Sequence, residues 1–518
     1  MDAPIARASV LEKVHRVKCS RHTVGVVLAG CVLAPLLVGT SAQPAVSAAT
    51  PLSVAQLEFP LPLVAHGDRV ANGQSPVEVG YDTRRIPSAT GSLYVRNDLQ
   101  AGYTRVPLAR RKATQQWFTS DGYRVLRATV PDRLLRGQRL FYYAVISDPA
   151  SGRSVRVPAG TPESVWVING ASIVRLGVHR FDHVRGPDAV VARATPDEVG
   201  FEIPPEGGPG EGPWSFEVLR NGSVWLMDEL NKRLLVWRRF HPNAVPRVVP
   251  LAQSFFPIDF ALGPEHTVYV TRGPDPDDPP LYPGGFPPIH LDRLSATGQV
   301  LWESKLATDV FNTQLRFGPH RTLYWTGPFP SPRIERSSGY RWTPGATLAG
   351  GPLSMPDQDR MTAWGVQPLE GGLQLVGVTT GFTTDPVYGI APHELRFALI
   401  DRSGRLVRAW RVRSRTVIWP RTQATPGLVG RDLVVAPEVT TGSGDTFKIE
   451  YVVLRLAATS AGTRARFSLA APSLNAPPSA AWGDVITDVR IGPDGNVYQL
   501  GSSPTTGVVI HRYSLAPG

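Results

Sequence analysis

Ser215, Asp259, Gln314 and Asp488 each open a short apolar segment of similar pattern, so four oxygen-bearing side chains recur at one place in a repeat. Equivalent positions of a closed repeat array ring a single central channel. Side chains there could converge on one small ligand from separate repeats. The same residue types also satisfy backbone groups of a neighbouring repeat or hold channel water. Residue type does not separate the two uses.

Other residues offer weaker chemistry. His179 and His183 stand four apart, a spacing that suits two metal ligands only on a helix, and Val178, Phe181 and Val184 around them read as strand and turn. The loop PDPDDPP presents Asp275, Asp277 and Asp278, oxygen donors suited to a calcium ion, without the spacing of an EF-hand. Tyr282, Phe286 and Phe329 lie on Pro/Gly-rich loops, where flat rings can stack on sugars or grip a peptide. GGPGEGPW at 207–214 precedes a strand, whereas a phosphate loop follows a strand and opens a helix. The signatures H-E-x-x-H, G-x-S-x-G, S-x-x-K and Gly-Lys do not occur.

The elements that must hold these residues are hairpins. SFEVLRNGSVWLM, DFALGPEHTVYVT, QLRFGPHRTLYWT and DVRIGPDGNVYQL align without gaps, each an alternating start, a turn, and a second strand. Trp225, Tyr269, Tyr324 and Tyr498 share one position in them. Weaker copies begin at Trp364 and Gly427, and further strands follow each copy. Spacings of about 43 to 64 residues match a four-stranded propeller blade with variable loops. The expected fold is all-β: a propeller of six blades, give or take one, over 172–518. The stretch Ser172–Phe181 is expected to close the ring against the last blade, removing exposed sheet edges. Before it, short strands at roughly ten-residue spacing over 79–160 suggest a small Ig-like sandwich, with 49–78 as lead-in.

SFEVLRNGSVWLMDELNKRLLVW at 215–237 resembles an NHL repeat, and Asp228, Asn231 and Arg233 match its D-x-x-N-x-R element. The later copies keep the hairpin and lose that element. More distantly, the chain resembles the six-bladed gluconolactonase-like propellers. That resemblance implies a divalent metal in the channel on Asp259 and Asp488, with Gln314 as neutral ligand and a bound water as nucleophile.

Composition and the N-terminus bound the setting. Gly and Pro number 50 each in 518 residues, too many for long helices. Arg7, Lys13, Arg16, Lys18 and Arg21 precede the apolar run TVGVVLAGCVLAPLLVG, and Val46 and Ala48 offer a cleavage site. Residues 1–48 therefore read as a signal peptide for general secretion, placing the protein outside the cell or on its envelope. Lipidation at Cys31 or a retained anchor are the alternatives, and membrane contact is expected only through them. Both cysteines, Cys19 and Cys31, fall in this segment. Removing its five basic and two acidic residues takes the net charge from +11 to +8. A basic exported protein can dock on acidic polymers, while nucleic acid is not an expected partner.

The leading expectation is a monomeric, non-catalytic binding protein. Its ligand would be carbohydrate, a cell-wall polymer or another exported protein, with no cofactor or a single divalent cation. The alternative is a metal-dependent hydrolase or lactonase working at the central channel.

Overall fold

The computed structural model describes residues 54–58, 63–64, 77–82, 88–111, 123–202, 212–239, 241–251, 256–263, 267–275, 277–279, 289–306, 314–317, 323–326, 340–342, 367–385, 389–401, 403–419, 424–442, 448–458, 463–470 and 486–515. The expected targeting segment with Cys19 and Cys31, and the loop aromatics Tyr282, Phe286 and Phe329, lie outside the described residues. Among those described, the helical pieces are 3₁₀ turns of three residues, and no helix is long and apolar enough to cross a membrane.

The N-terminal sheet has nine strands between Val54 and Val167. Arg139–Asp148 shows why it forms: RLFYYAVISD alternates half-buried and buried residues along its whole length, the period-two pattern of a sheet with one covered face. Leu93, Val95, Leu126, Leu140, Ala144 and Ile146 make that covered face. The sheet runs beyond the expected 79–160 at both ends, because Val54–Glu58, Leu63–Val64 and Glu163–Val167 pair into it.

Six further sheets follow among the described residues, here numbered I to VI in chain order. They span 215–250, 257–306, 314–342, 367–414, 417–470 and 486–513. The four hairpins expected from the repeats are present, with Phe216 opposite Leu226, Phe260 opposite Val270, Leu315 opposite Trp325 and Val489 opposite Gln499. Their turns use local chemistry. In the first, Gly222 takes φ of 80° and donates to the Leu219 carbonyl, while the Asn221 side chain accepts from the Ser223 amide. In sheet V the second strand is split at Pro437, which has no N–H to give the ladder.

Among the described residues, apolar packing joins neighbouring sheets in order at five seams. Trp225, Met227 and Leu234 of sheet I meet Phe260, Val268 and Val270 of sheet II. Tyr269 and Leu291 of sheet II meet Leu315 and Leu323 of sheet III. Trp410 and Leu395 of sheet IV meet Ile418, Leu433 and Val452 of sheet V, and Val434 and Val453 of sheet V meet Val489 and Val497 of sheet VI. Sheet VI then returns to sheet I, with Leu500, Val508 and Ile510 against Phe216, Leu226 and Trp237. Sheets that pack side by side until the last meets the first form a propeller. Three of the four repeat-position aromatics, Trp225, Tyr269 and Tyr498, are buried between sheets.

The ring closes differently from expectation. Ala189–Ala194, not Ser172–Phe181, pairs with Gly507–Tyr513 as the outer strand of sheet VI. Ser172–Gly177 instead lies parallel to Leu406–Ser414 at the outer edge of sheet IV. Side-chain size explains the choice. Val174 and Leu176 fill the space between sheets IV and V beside Trp410 and Val412, whereas Ala192 and Ala194 fit the tighter seam beside Val508 and Phe216. That seam is tight enough that a Cβ on Gly507 would sit 2.1 Å from the Ala194 carbonyl oxygen.

Phe216 is fully buried at the seam. Phe216→Ala is expected to lower stability by about 3–5 kcal/mol in urea unfolding, while Val245→Ala, at a site 89% exposed, stays within about 0.5 kcal/mol of the parent.

Candidate functional site

Residues two apart on a strand share a face, and this rule assembles the channel rim. Ser215 and Glu217 open sheet I, Asp488 and Arg490 open sheet VI, and Asp259 opens sheet II. The Arg490 guanidinium lies among them: Nε is 2.7 Å from Asp488 Oδ2, and its terminal nitrogens are 3.1 Å from Glu217 Oε1 and 3.1 Å from Ser215 Oγ. Asp259 Oδ1 is 3.9 Å from the same guanidinium and accepts from the Ser215 hydroxyl. Asp259 Oδ2 accepts the Leu315 amide of sheet III at 2.6 Å. Arg490 also sits 5.0 Å above the Phe216 ring.

Ser215, Asp259, Asp488 and Arg490 are all buried. Burial works against the Arg490 charge, but the carboxylates of Asp488, Glu217 and Asp259 outweigh it and hold its pKa above the ordinary arginine value. Three of the four expected rim residues thus meet at one point, and the fourth, Gln314, opens the inner strand of sheet III opposite Thr326. The rim does not fit the divalent metal that the gluconolactonase resemblance implies. Arg490 supplies the positive charge between Asp488 and Asp259, and Asp259 spends its oxygens on Ser215 and the backbone of the next sheet.

A second charged cluster lies at the same end of sheet II, where Asp259 is level with Thr271 and Arg272 pairs with His290. Arg272 contacts Asp292 at 2.7 Å, Asp275 at 2.6 Å and Glu303 at 2.9 Å. His290 lies 2.7 Å from Glu303 through Nδ1 and 2.5 Å from Asp278 through Nε2. Asp278 also accepts the Asp275 amide at 2.8 Å, and Asp277 is exposed. The acidic loop seen in the sequence is therefore folded back onto the strands that follow it. Asp275, His290 and Glu303 are the grouping whose donor atoms, all within 4.8 Å of one another, could hold a cation. Arg272 already provides one positive charge there. Burial, only partly offset by Arg272, raises the Asp292 carboxyl to about 6.

The remaining candidates have structural duties. Asp228 accepts from Asn231 at 3.0 Å, Arg233 at 2.8 Å and the Gly200 amide at 2.9 Å, so the D-x-x-N-x-R element ties the entering chain to sheet I. His179 is buried against Glu450 at 2.6 Å, while His183 is exposed on the same turn. Gly212 of the Gly-rich segment donates to Glu229 at the entrance to sheet I. Glu394 of sheet IV lies within 3.1 Å of Arg396, Arg411 and Arg413; burial alone would raise its carboxyl, but the arginines hold it below its ordinary value.

No family model matches the chain, and no curated protein matches it. Among solved structures, a glucose dehydrogenase aligns at 14% identity and TM-score 0.33, over 59% of this chain and 97% of its own. A streptogramin B lyase aligns at 12% identity and TM-score 0.28, over 73% and 90%. The PQQ-bound aldose sugar dehydrogenase of Streptomyces coelicolor aligns at 12% identity and TM-score 0.30, over 62% and 100%. The propeller class rests on the sheet order and on the packing of each sheet against the next.

Arg490→Met leaves Asp488, Glu217 and Asp259 facing one another without their cation, and is expected to cost about 3–5 kcal/mol in urea unfolding. Asp292 binds its proton more tightly in the folded than in the unfolded chain, so its contribution favours folding below pH 4 and is lost as pH rises from about 4 to about 6. Asp292→Asn should remove that slope, a difference on the order of 3 kcal/mol between pH 4 and pH 7 when the two proteins are unfolded in parallel.

Proposed function

We propose that the chain is an exported, non-catalytic six-bladed propeller of NHL-like type, joined to an Ig-like N-terminal sheet, whose role is to bind. Its ligand is carbohydrate, a cell-wall polymer or another exported protein. The six sheets with an outer strand drawn from upstream support the blade count. The curling nine-stranded sheet with its own core supports a separate N-terminal module. Export rests on the basic and apolar pattern of residues 1–48.

One observation carries the binding reading. The rim carboxylates that a propeller hydrolase would aim at a metal are engaged here by Arg490, Ser215 and the Leu315 amide. Such a rim fastens sheets VI, I, II and III together, with Asp488 and Asp259 both held by protein donors. Catalysis through a metal-bound water would need those contacts undone. The alternative, a metal-dependent hydrolase or lactonase, draws on the Asp275, His290 and Glu303 grouping. It would place the ion in sheet II on residues other than the four repeat positions.

Elemental measurement on the purified chain, paired with a glycan array, separates the two. The expected result is substoichiometric divalent metal and glycan or wall-polymer retention that survives EDTA. A stoichiometric divalent ion, whose removal abolishes turnover of lactones or esters, would overturn the binding reading.

A further inference from the structure

Between sheets IV and V a strap, 177–185, crosses the outer edge of the ring and is fastened at every turn. The Arg415 amide donates to the Gly177 carbonyl at 2.7 Å, and the His179 amide donates to Thr416 Oγ1 at 2.8 Å. Glu450 accepts from the Asp182 amide at 2.6 Å and faces the His179 ring. Lys448 pairs with Asp182, and the Arg185 amide donates to the Ser468 carbonyl at 2.8 Å. A surface segment this well anchored has a fixed backbone, which lowers the ordering cost of binding.

What those side chains present is a cleft of ≈ 670 Å³ between the strap and Arg466–Ser468. Its lining has three arginines and two histidines and no acid. The acids nearby are already engaged: Asp182 by Lys448, Asp188 by Arg185, and Glu450 by His179. Arg180 and His183 point outward with no ion pair or hydrogen bond among the described residues. Arg466, also exposed, gives one nitrogen to the Leu176 carbonyl at 3.1 Å. Apolar side chains stand between these basic groups, with Val178 65% and Val184 40% exposed, while Phe467 carries the Arg185 guanidinium 4.9 Å from its ring centre.

We propose that this cleft binds an acidic polysaccharide, its carboxylate or phosphate groups on Arg180 and Arg466 and its sugar C–H faces against Val178 and Val184. The proposal rests on the binding reading above and gives it a site and a ligand class. Guanidinium groups pair with carboxylates and phosphates through two parallel N–H donors. The cleft volume falls in the range of about 300–1,000 Å³ typical of ligand sites, larger than one small anion needs. Exposed valines beside the arginines suit a ligand with apolar faces between its charges, which a bare phosphate lacks. The net charge, +11 for the whole sequence and +8 without residues 1–48, favours the same partner at long range.

The test is equilibrium binding of the full chain to polygalacturonate and to phosphorylated dextran, with plain dextran as neutral control. Vesicles of phosphatidylglycerol and duplex DNA serve as anions without a sugar C–H face or with a different one. Both acidic polysaccharides should bind, plain dextran should not, and affinity should fall as sodium chloride is raised. Arg180→Glu, at an exposed residue with no ion pair or hydrogen bond among the described residues, should weaken binding at least ten-fold with unchanged thermal unfolding, and Arg180→Lys should largely restore it. Arg466→Glu should weaken it further. Equal binding of plain dextran, of vesicles or of DNA would overturn the proposal, as would full affinity in Arg180→Glu. A neutral glycan or protein ligand retained by Arg180→Glu would sink the cleft assignment and leave the binding reading standing. Metal-dependent turnover would instead sink the reading on which the cleft rests.

Discussion

The buried guanidinium of Arg490 is the point on which the ring turns. It comes from sheet VI, reaches Glu217 and Ser215 of sheet I, and faces Asp259 of sheet II, which in turn holds the backbone of sheet III. Hydrophobic packing between sheets is strong but does not choose among small displacements along a strand. Charge-assisted hydrogen bonds do, since their strength falls steeply with distance and angle. A propeller whose inner strands slid by one residue would bury several unpaired charges at once. The seam between sheet VI and sheet I lies beside this group, with Phe216 touching both the guanidinium and the apolar side chains of Val508 and Leu500.

The sheet II cluster shows the same economy used away from the axis. Four carboxylates share one arginine and one histidine, and the sequence separation of these groups is bridged by three adjacent strands. A loop rich in Asp and Pro would ordinarily remain solvated. Here Arg272 and His290 draw it back, so an acidic surface feature becomes part of an interior one.

The repeated hairpin was legible because it is local. Alternation, a turn residue at a fixed offset and an aromatic in the second strand all fall within a dozen residues, and Trp225, Tyr269 and Tyr498 fulfil that pattern by burial. Ring closure was not, because Ser172–Gly177 and Ala189–Ala194 both alternate and only their distant partners tell them apart. Asp259, Asp488 and Ser215 could be found by register alone, whereas Arg490 and Glu217 could not. A buried arginine is an exception to surface preference, visible only once the carboxylates that justify it are brought near. The i, i+2 spacing of Asp488 to Arg490 and of Ser215 to Glu217 was the available signal, and among many arginines it was a faint one. For the acidic loop, the aspartates stood out while their partners, Arg272, His290 and Glu303, sat in ordinary-looking strands.

The closing strand has a consequence for the making of the molecule. Ala189–Ala194 is synthesised ahead of sheets I, II, III and V, but its partner Gly507–Tyr513 follows them all. A growing chain can assemble sheets I to V in order while this strand and the edge meant for it both wait unpaired. Ring closure is therefore a contact of very high order, the kind that is slow to form because a long loop must close first. During that wait the open ring offers strand edges to any neighbour, including another nascent copy. The finished ring removes that hazard by pairing Ala189–Ala194 with the edge left open by Gly507–Tyr513.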